Sequence, residues 1–174
     1  MDKLEQVRMP VFSWDYEDLP VHELWFRMAD AYLVCAIHLL YEMAEERIDR
    51  DFFRAKVCDA LYCQSIELFF KGALAIANKE IINSHNLSIL YDRYLKMYPE
   101  KEFRFEVKME KVVKENVLWK YNEFARYPVD KDGKPWQGNT HFDIIVLLKN
   151  ALLTQKDFLR LTPLLLKKYK KNPS

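Results

Sequence analysis

Glu67 and Lys71 stand one turn apart on an otherwise strongly apolar helix pattern. Such a pair can do one of two things. Lys71 can hold a substrate phosphate, or the two can form a satisfied structural ion pair where the fold meets water. Downstream, Ser84-His85-Asn86-Leu87 forms a polar turn that opens a second amphipathic pattern. His85, at a helix start, could carry a proton because its reference pKa lies near neutrality; the alternative is a capping or hydrogen-bonding histidine. Ala125-Arg126-Tyr127-Pro128 closes a later helix pattern, and His141 opens the next one across a polar loop. Arg126 is a fixed positive charge and a fork of donors suited to phosphate. His141 would sit where unpaired helix amides attract anions. An Arg and a His on one phosphodiester could cleave RNA without a metal. One would stabilise the developing charge while the other moves the 2′-hydroxyl proton. Otherwise Arg126 satisfies helix carbonyls and His141 starts its helix. The tail Leu166-Lys167-Lys168-Tyr169-Lys170-Lys171 is basic with one aromatic. It could hold a nucleic-acid backbone, or complement the helix dipole and keep that end soluble.

Other chemistries are excluded by spacing. Asp130-Lys131-Asp132-Gly133 invites a calcium loop, but the register puts Pro128 at the first ligand position and Asn139 at the last. No G-x-S-x-G, P-loop, H-E-x-x-H or spaced Cys/His set is present, so neither a metal nor another cofactor is expected. Cys35, Cys58 and Cys63 all fall within helical patterns and match neither a redox nor a zinc pair. They are expected to be small buried hydrophobes in a reducing compartment.

Five amphipathic segments must position these groups. The first runs from about Val21 to Arg47 with two apolar stripes. Leu24, Met28, Ala31, Tyr32, Cys35, Leu39 and Met43 form one; Trp25, Ala29, Leu33, Ala36 and Leu40 form the other. Two stripes imply burial on two sides, in a bundle or at a dimer seam. The second helix, about Arg50 to Ile82, is apolar nearly all round, and Gly72 in its middle marks a close helix crossing. A shorter helix, with Ser84 or Asn86 as N-cap, runs to Tyr98 before Pro99. The fourth is expected over Phe103 to Arg126, and the last over His141 to Lys168 with Pro163 kinking its end.

The 174 residues make one domain, organised as an extended arm (1–20), a helical body (21–168) and a basic tail (169–174). Half of the residues are hydrophobic and only three are glycine, which fits an all-α fold with short connections. The net charge of +1 gives no whole-molecule field to draw nucleic acid or membrane, so such affinity needs a local patch. With no apolar signal core at the start and no long uninterrupted apolar run, a cytoplasmic location without a membrane span is expected.

Three segments in this order resemble the HEPN family of helical domains. These are Gln64 to Leu74 with its Glu-x3-Lys, the His85-Asn86-Leu87 turn, and Ala125-Arg126-Tyr127-Pro128. The resemblance covers roughly Leu24 to Leu161. It implies an antiparallel up-down bundle that commonly dimerises. Many members are ribonucleases of toxin–antitoxin and phage-defence systems, often partnered by a nucleotidyltransferase. Their catalytic signature is an Arg followed four to six residues later by a His. Here fourteen residues separate Arg126 from His141, and no other Arg-His pair has the family's spacing. The resemblance therefore points to a noncatalytic homodimer that binds a nucleotide, RNA or a protein partner through Lys71, His85, Arg126 and Tyr127. The alternatives are a metal-independent endoribonuclease using Arg126 and His141, and a pure interaction subunit.

Overall fold

The computed structural model describes residues 19–48, 51–78, 83–114, 132, 134 and 143–170. The N-terminal arm before residue 19, most of the 127–140 loop, and Arg126, Tyr127 and His141 lie outside the described residues. Within them the chain is all-α, with no strand. The helices are α1 (Val21–Ala44), α2 (Phe52–Asn78), α3 (Leu87–Met97), α4 (Met109–Lys114) and α5 (Ile144–Lys170), with a 3-10 turn at Lys101–Phe103.

The centre of the fold is α2, on which α1, α3 and α5 all pack. Its apolar surroundings follow from its sequence: Ile66, Phe69, Phe70, Ala73 and Leu74 are all buried within it. Phe69 stacks on Phe158 of α5 at 4.1 Å and meets Phe26 of α1 at 5.3 Å. One aromatic ring thus ties three helices together. Tyr98 donates its hydroxyl to Ala73 O at 2.6 Å and Tyr62 pairs with Thr154 Oγ1 at 3.0 Å, so the buried hydroxyls are satisfied.

Helix α1 runs antiparallel to α2, since Met43 lies by Cys58 and Phe26 by Gly72. Helix α3 does not continue that alternation. Glu67 meets His85, Phe70 meets Tyr91 and Tyr94, and Ala73 meets Tyr98, so contacts advance together along both helices. The chain is back level with Glu67 by His85, before Asn86 starts α3. An up-down arrangement therefore holds for α1 and α2 but fails for α2 and α3.

Gly72 marks the close crossing that its mid-helix position implies. A Cβ there would meet the Phe26 ring at 3.0 Å and Trp25 Cβ at 3.1 Å. Alanine normally gains about 1 kcal/mol over glycine inside a helix. Here overpacking outweighs that gain, because the Phe26 ring is held against Phe69. Gly72→Ala is expected to lower stability by about 1 kcal/mol net, read from the urea midpoint; a stabilised variant would mean the crossing is looser.

Two sequence expectations change. Only Cys58 and Cys63 are buried, whereas Cys35 is exposed, because the Ala29-Leu33-Ala36-Leu40 stripe is the one that faces α2 and α5. The fourth helix begins at Met109 rather than Phe103, for a reason that lies on α5. That helix itself continues past Pro163 to Lys170. Pro163 shares the exposed side with Leu159, whose carbonyl it cannot bond, so the lost hydrogen bond is open to water.

Candidate functional site

Asn86 is the N-cap of α3, its side chain accepting from Ser88 N at 3.0 Å and Ile89 N at 3.3 Å. That cap fixes His85 just ahead of the helix. From there the imidazole Nδ1 reaches Glu67 Oε1 at 2.9 Å, and Lys71 Nζ donates to the same oxygen at 2.9 Å. The three groups differ in exposure: the side chains of Glu67 and Lys71 are 1% and 7% exposed, that of His85 70%. Lys71 is held further by Trp25, whose ring lies 5.5 Å from Nζ. Of the two roles open to Glu67 and Lys71, the geometry serves the structural one. The Glu67 carboxylate joins α2 to the start of α3, and Lys71 extends the link to α1 through the Trp25 ring.

His85 is the part of this constellation that meets solvent. With the Glu67 carboxylate at Nδ1, the neutral ring carries its proton there and turns the Nε2 lone pair outward. The exposed edge of the ring can therefore accept a hydrogen bond from a ligand. Among the described residues no three or more His, Cys, Asp or Glu side chains gather as a metal site.

A second feature has no counterpart in the sequence reading. On α5, the buried Asp157 accepts Glu106 N at 3.0 and 2.9 Å and Val107 N at 3.0 Å. Arg160, one turn on, donates to Asp157 Oδ1 at 2.6 Å, to Glu102 O at 2.9 Å and to Arg104 O at 2.7 Å. The backbone from Glu102 to Val107 is thereby drawn into an irregular path. Amides bonded to a distant carboxylate are not available to a local helix, which explains the late start of α4. The signal was present as an Asp on the buried face of an apolar helix.

The pinned segment forms one side of a cleft of about 620 Å³, lined by Tyr91, Arg104, Phe105, Lys108, Glu110 and Lys111 together with Val107 and Met109. Among the described residues lining it, three are cations and one, Glu110, is a carboxylate. Arg104 Nη2 is steadied by Pro99 O at 3.0 Å, and Phe105 is wedged edge-on against Phe69 and Phe70. The volume lies within the usual range for small-molecule sites, and the mix of aromatic wall and positive charge suits a phosphate-bearing ligand. The Lys-rich end of α5 is partly committed elsewhere: Lys168 bonds Glu100 at 2.6 Å and lies 4.9 Å from the Phe103 ring.

Fold and site together define an all-α domain with a carboxylate-anchored histidine and a cationic cleft. No protein-family model, curated protein or solved structure matches this chain. Helices α1 and α2 are each long and apolar enough to cross a membrane, although two-thirds of the apolar window of α2 is buried inside the fold (67%).

Proposed function

We propose that this chain is a noncatalytic helical domain of the HEPN kind that binds a nucleotide or RNA through its phosphates and works as a homodimer. The observation that supports this best is the cleft at 104–111. Its wall is fixed from Glu102 to Val107 by Asp157 and Arg160, and Arg104 is steadied by Pro99 O, so less ordering entropy is lost there on binding, with Lys108 and Lys111 adding charge beside it. Lys71, buried under Trp25 and bonded to Glu67, is a structural member of the domain on this reading, and the phosphate contact falls to the cleft. His85 stays available at the surface through Nε2. Arg126 and Tyr127 remain candidates for the same ligand.

The test uses ATP and a short single-stranded RNA, each in EDTA, with melting temperature and RNA integrity as the two readouts. Ligand at a hundred times its Kd stabilises the folded state by about 2.7 kcal/mol, a rise of several degrees. The expected result is such a rise for at least one of the two, abolished in Arg104→Ala/Lys108→Ala and weakened by added salt, with the RNA intact. No rise with either ligand would overturn the binding reading. RNA cleavage that Arg126→Ala abolishes would replace it with the endoribonuclease.

A further inference from the structure

Helix α5 packs one face against α1 and α2 and turns the other to solvent. At about 100° per residue, the solvent side centres on Lys149, Lys156 and Lys167, all exposed and aligned along the helix to within about 20°. An apolar row runs along each edge of this line. Leu152 and Leu159, 40% and 69% exposed, lie on one side; Val146 and Leu153, 51% and 39% exposed, lie on the other. The charge is all of one sign. Asp157, the single acid within α5, is on the buried side and holds Arg160, while Lys168 is taken by Glu100. Lys149, Lys156 and Lys167 form no ion pair among the described residues.

Unpaired lysines in a line between apolar rows narrow the choice of occupant. A second copy of this face would set lysine against lysine across a two-fold axis. A bilayer could take the apolar rows only with the central ammonium groups pointing into hydrocarbon, where charge is costly. A nucleic-acid backbone would pair with the lysines and leave the leucines pressed against phosphate. An amphipathic helix with a row of acids between apolar rows satisfies both kinds of side chain.

We propose that the outer face of α5 is the docking surface for an acidic amphipathic helix of a partner protein. The partner's acids meet Lys149 and Lys156, about two turns apart, and Lys167, about three turns further on, over a span of about 27 Å. Apolar side chains beside those acids pack on Leu152 and Leu159 and on Val146 and Leu153. The cleft at 104–111 is lined by none of these residues, so a nucleotide and the partner helix are held by separate groups.

The probe is a fluorescein-labelled helical peptide whose glutamates repeat the spacing of the three lysines between two rows of leucine. It is titrated with the full chain and read by fluorescence anisotropy. The expected result is saturable binding that weakens at least tenfold, roughly, when glutamine replaces the peptide's glutamates. Lys149→Glu/Lys156→Glu is expected to weaken it by about a hundredfold and Leu152→Ser/Leu159→Ser by about tenfold, with helical circular dichroism and melting temperature kept. If the reversed pair fails to fold, Lys149→Gln/Lys156→Gln serves in its place, with a loss of about tenfold. No saturable binding, or binding unmoved by the lysine variants, would overturn the proposal. A loss confined to the lysine variants, with the leucine variant unaffected, would reduce the surface to a patch for any polyanion and overturn it too. So would flotation on phosphatidylserine vesicles, or binding of single-stranded RNA, that Lys149→Glu/Lys156→Glu abolishes, since the occupant would then be a membrane or a nucleic acid.

Discussion

Replacing Asp59 with asparagine is expected to stabilise the fold by about 4 kcal/mol at pH 8 and to change little near pH 4. Asp59 lies on α2 among Cys58, Tyr62 and Cys63, is 7% exposed, and its Oδ2 has no hydrogen-bond partner. The contact of its Oδ1 is the Cys63 thiol at 4.0 Å, a weak donor. Burial without compensation favours the neutral acid and pushes its pKa from 3.8 up to about 7. Here the folded-state pKa lies above the unfolded one, so the folded protein holds a proton that the unfolded chain has released. The contribution of this group to stability is therefore fully present below pH 4, is lost as the pH rises toward 7, and stays lost above that. A rise of about three pKa units at 1.36 kcal/mol each gives the quoted 4 kcal/mol. Asparagine copies the shape of the neutral acid and removes the titration. The check is urea unfolding of both proteins from pH 4 to pH 8. Parallel stability curves, with no convergence at the acidic end, would show that Asp59 stays charged in the fold.

Asp157→Ala is expected to cost about 4 kcal/mol and to open the cleft. The carboxylate serves two backbone amides and the Arg160 guanidinium at once. Its removal leaves both amides without their acceptor and takes from a partly buried cation its closer counter-charge, the exposed Glu106 carboxylate at 3.7 Å being the other. Asparagine keeps one acceptor oxygen and turns a donor toward the remaining N–H, so Asp157→Asn is expected to lose about half as much. Function separates this from a purely global loss. At a temperature where Asp157→Asn is still fully folded, ATP binding should weaken about tenfold, because the Glu102–Val107 wall would no longer be fixed. Unfolding in urea and calorimetric titration read the two effects separately. A destabilised variant with unchanged binding would mean that the clamp serves the fold and not the cleft.

The contrast between these two aspartates shows what the sequence made legible. Local periodicity was enough to place α1, α2, α3 and α5 within a few residues, to name Asn86 as a cap candidate, and to read Gly72 as a crossing. It also paired Glu67 with Lys71, because groups one helical turn apart meet regardless of the rest of the fold. What it missed depended on distant partners. Phe103 to Lys108 carries a helical pattern, yet its Glu106 and Val107 amides are taken by Asp157, fifty residues on for Val107. Cys35 shares an apolar stripe with Met28, and both are exposed because the tertiary arrangement covers the other stripe of α1. The cleft cations Arg104, Lys108 and Lys111 read locally as a solvated face, and nothing in their spacing announces a shared opening.

The most direct test of the account is amide mapping by nuclear magnetic resonance of the native chain titrated with ATP. The expected result is saturable shifts across Arg104–Lys111 and Tyr91, with Lys71 and Glu67 unmoved. Shifts confined to other segments, or none at saturating nucleotide, would contradict the claim that the pinned cleft is where this domain takes its phosphate.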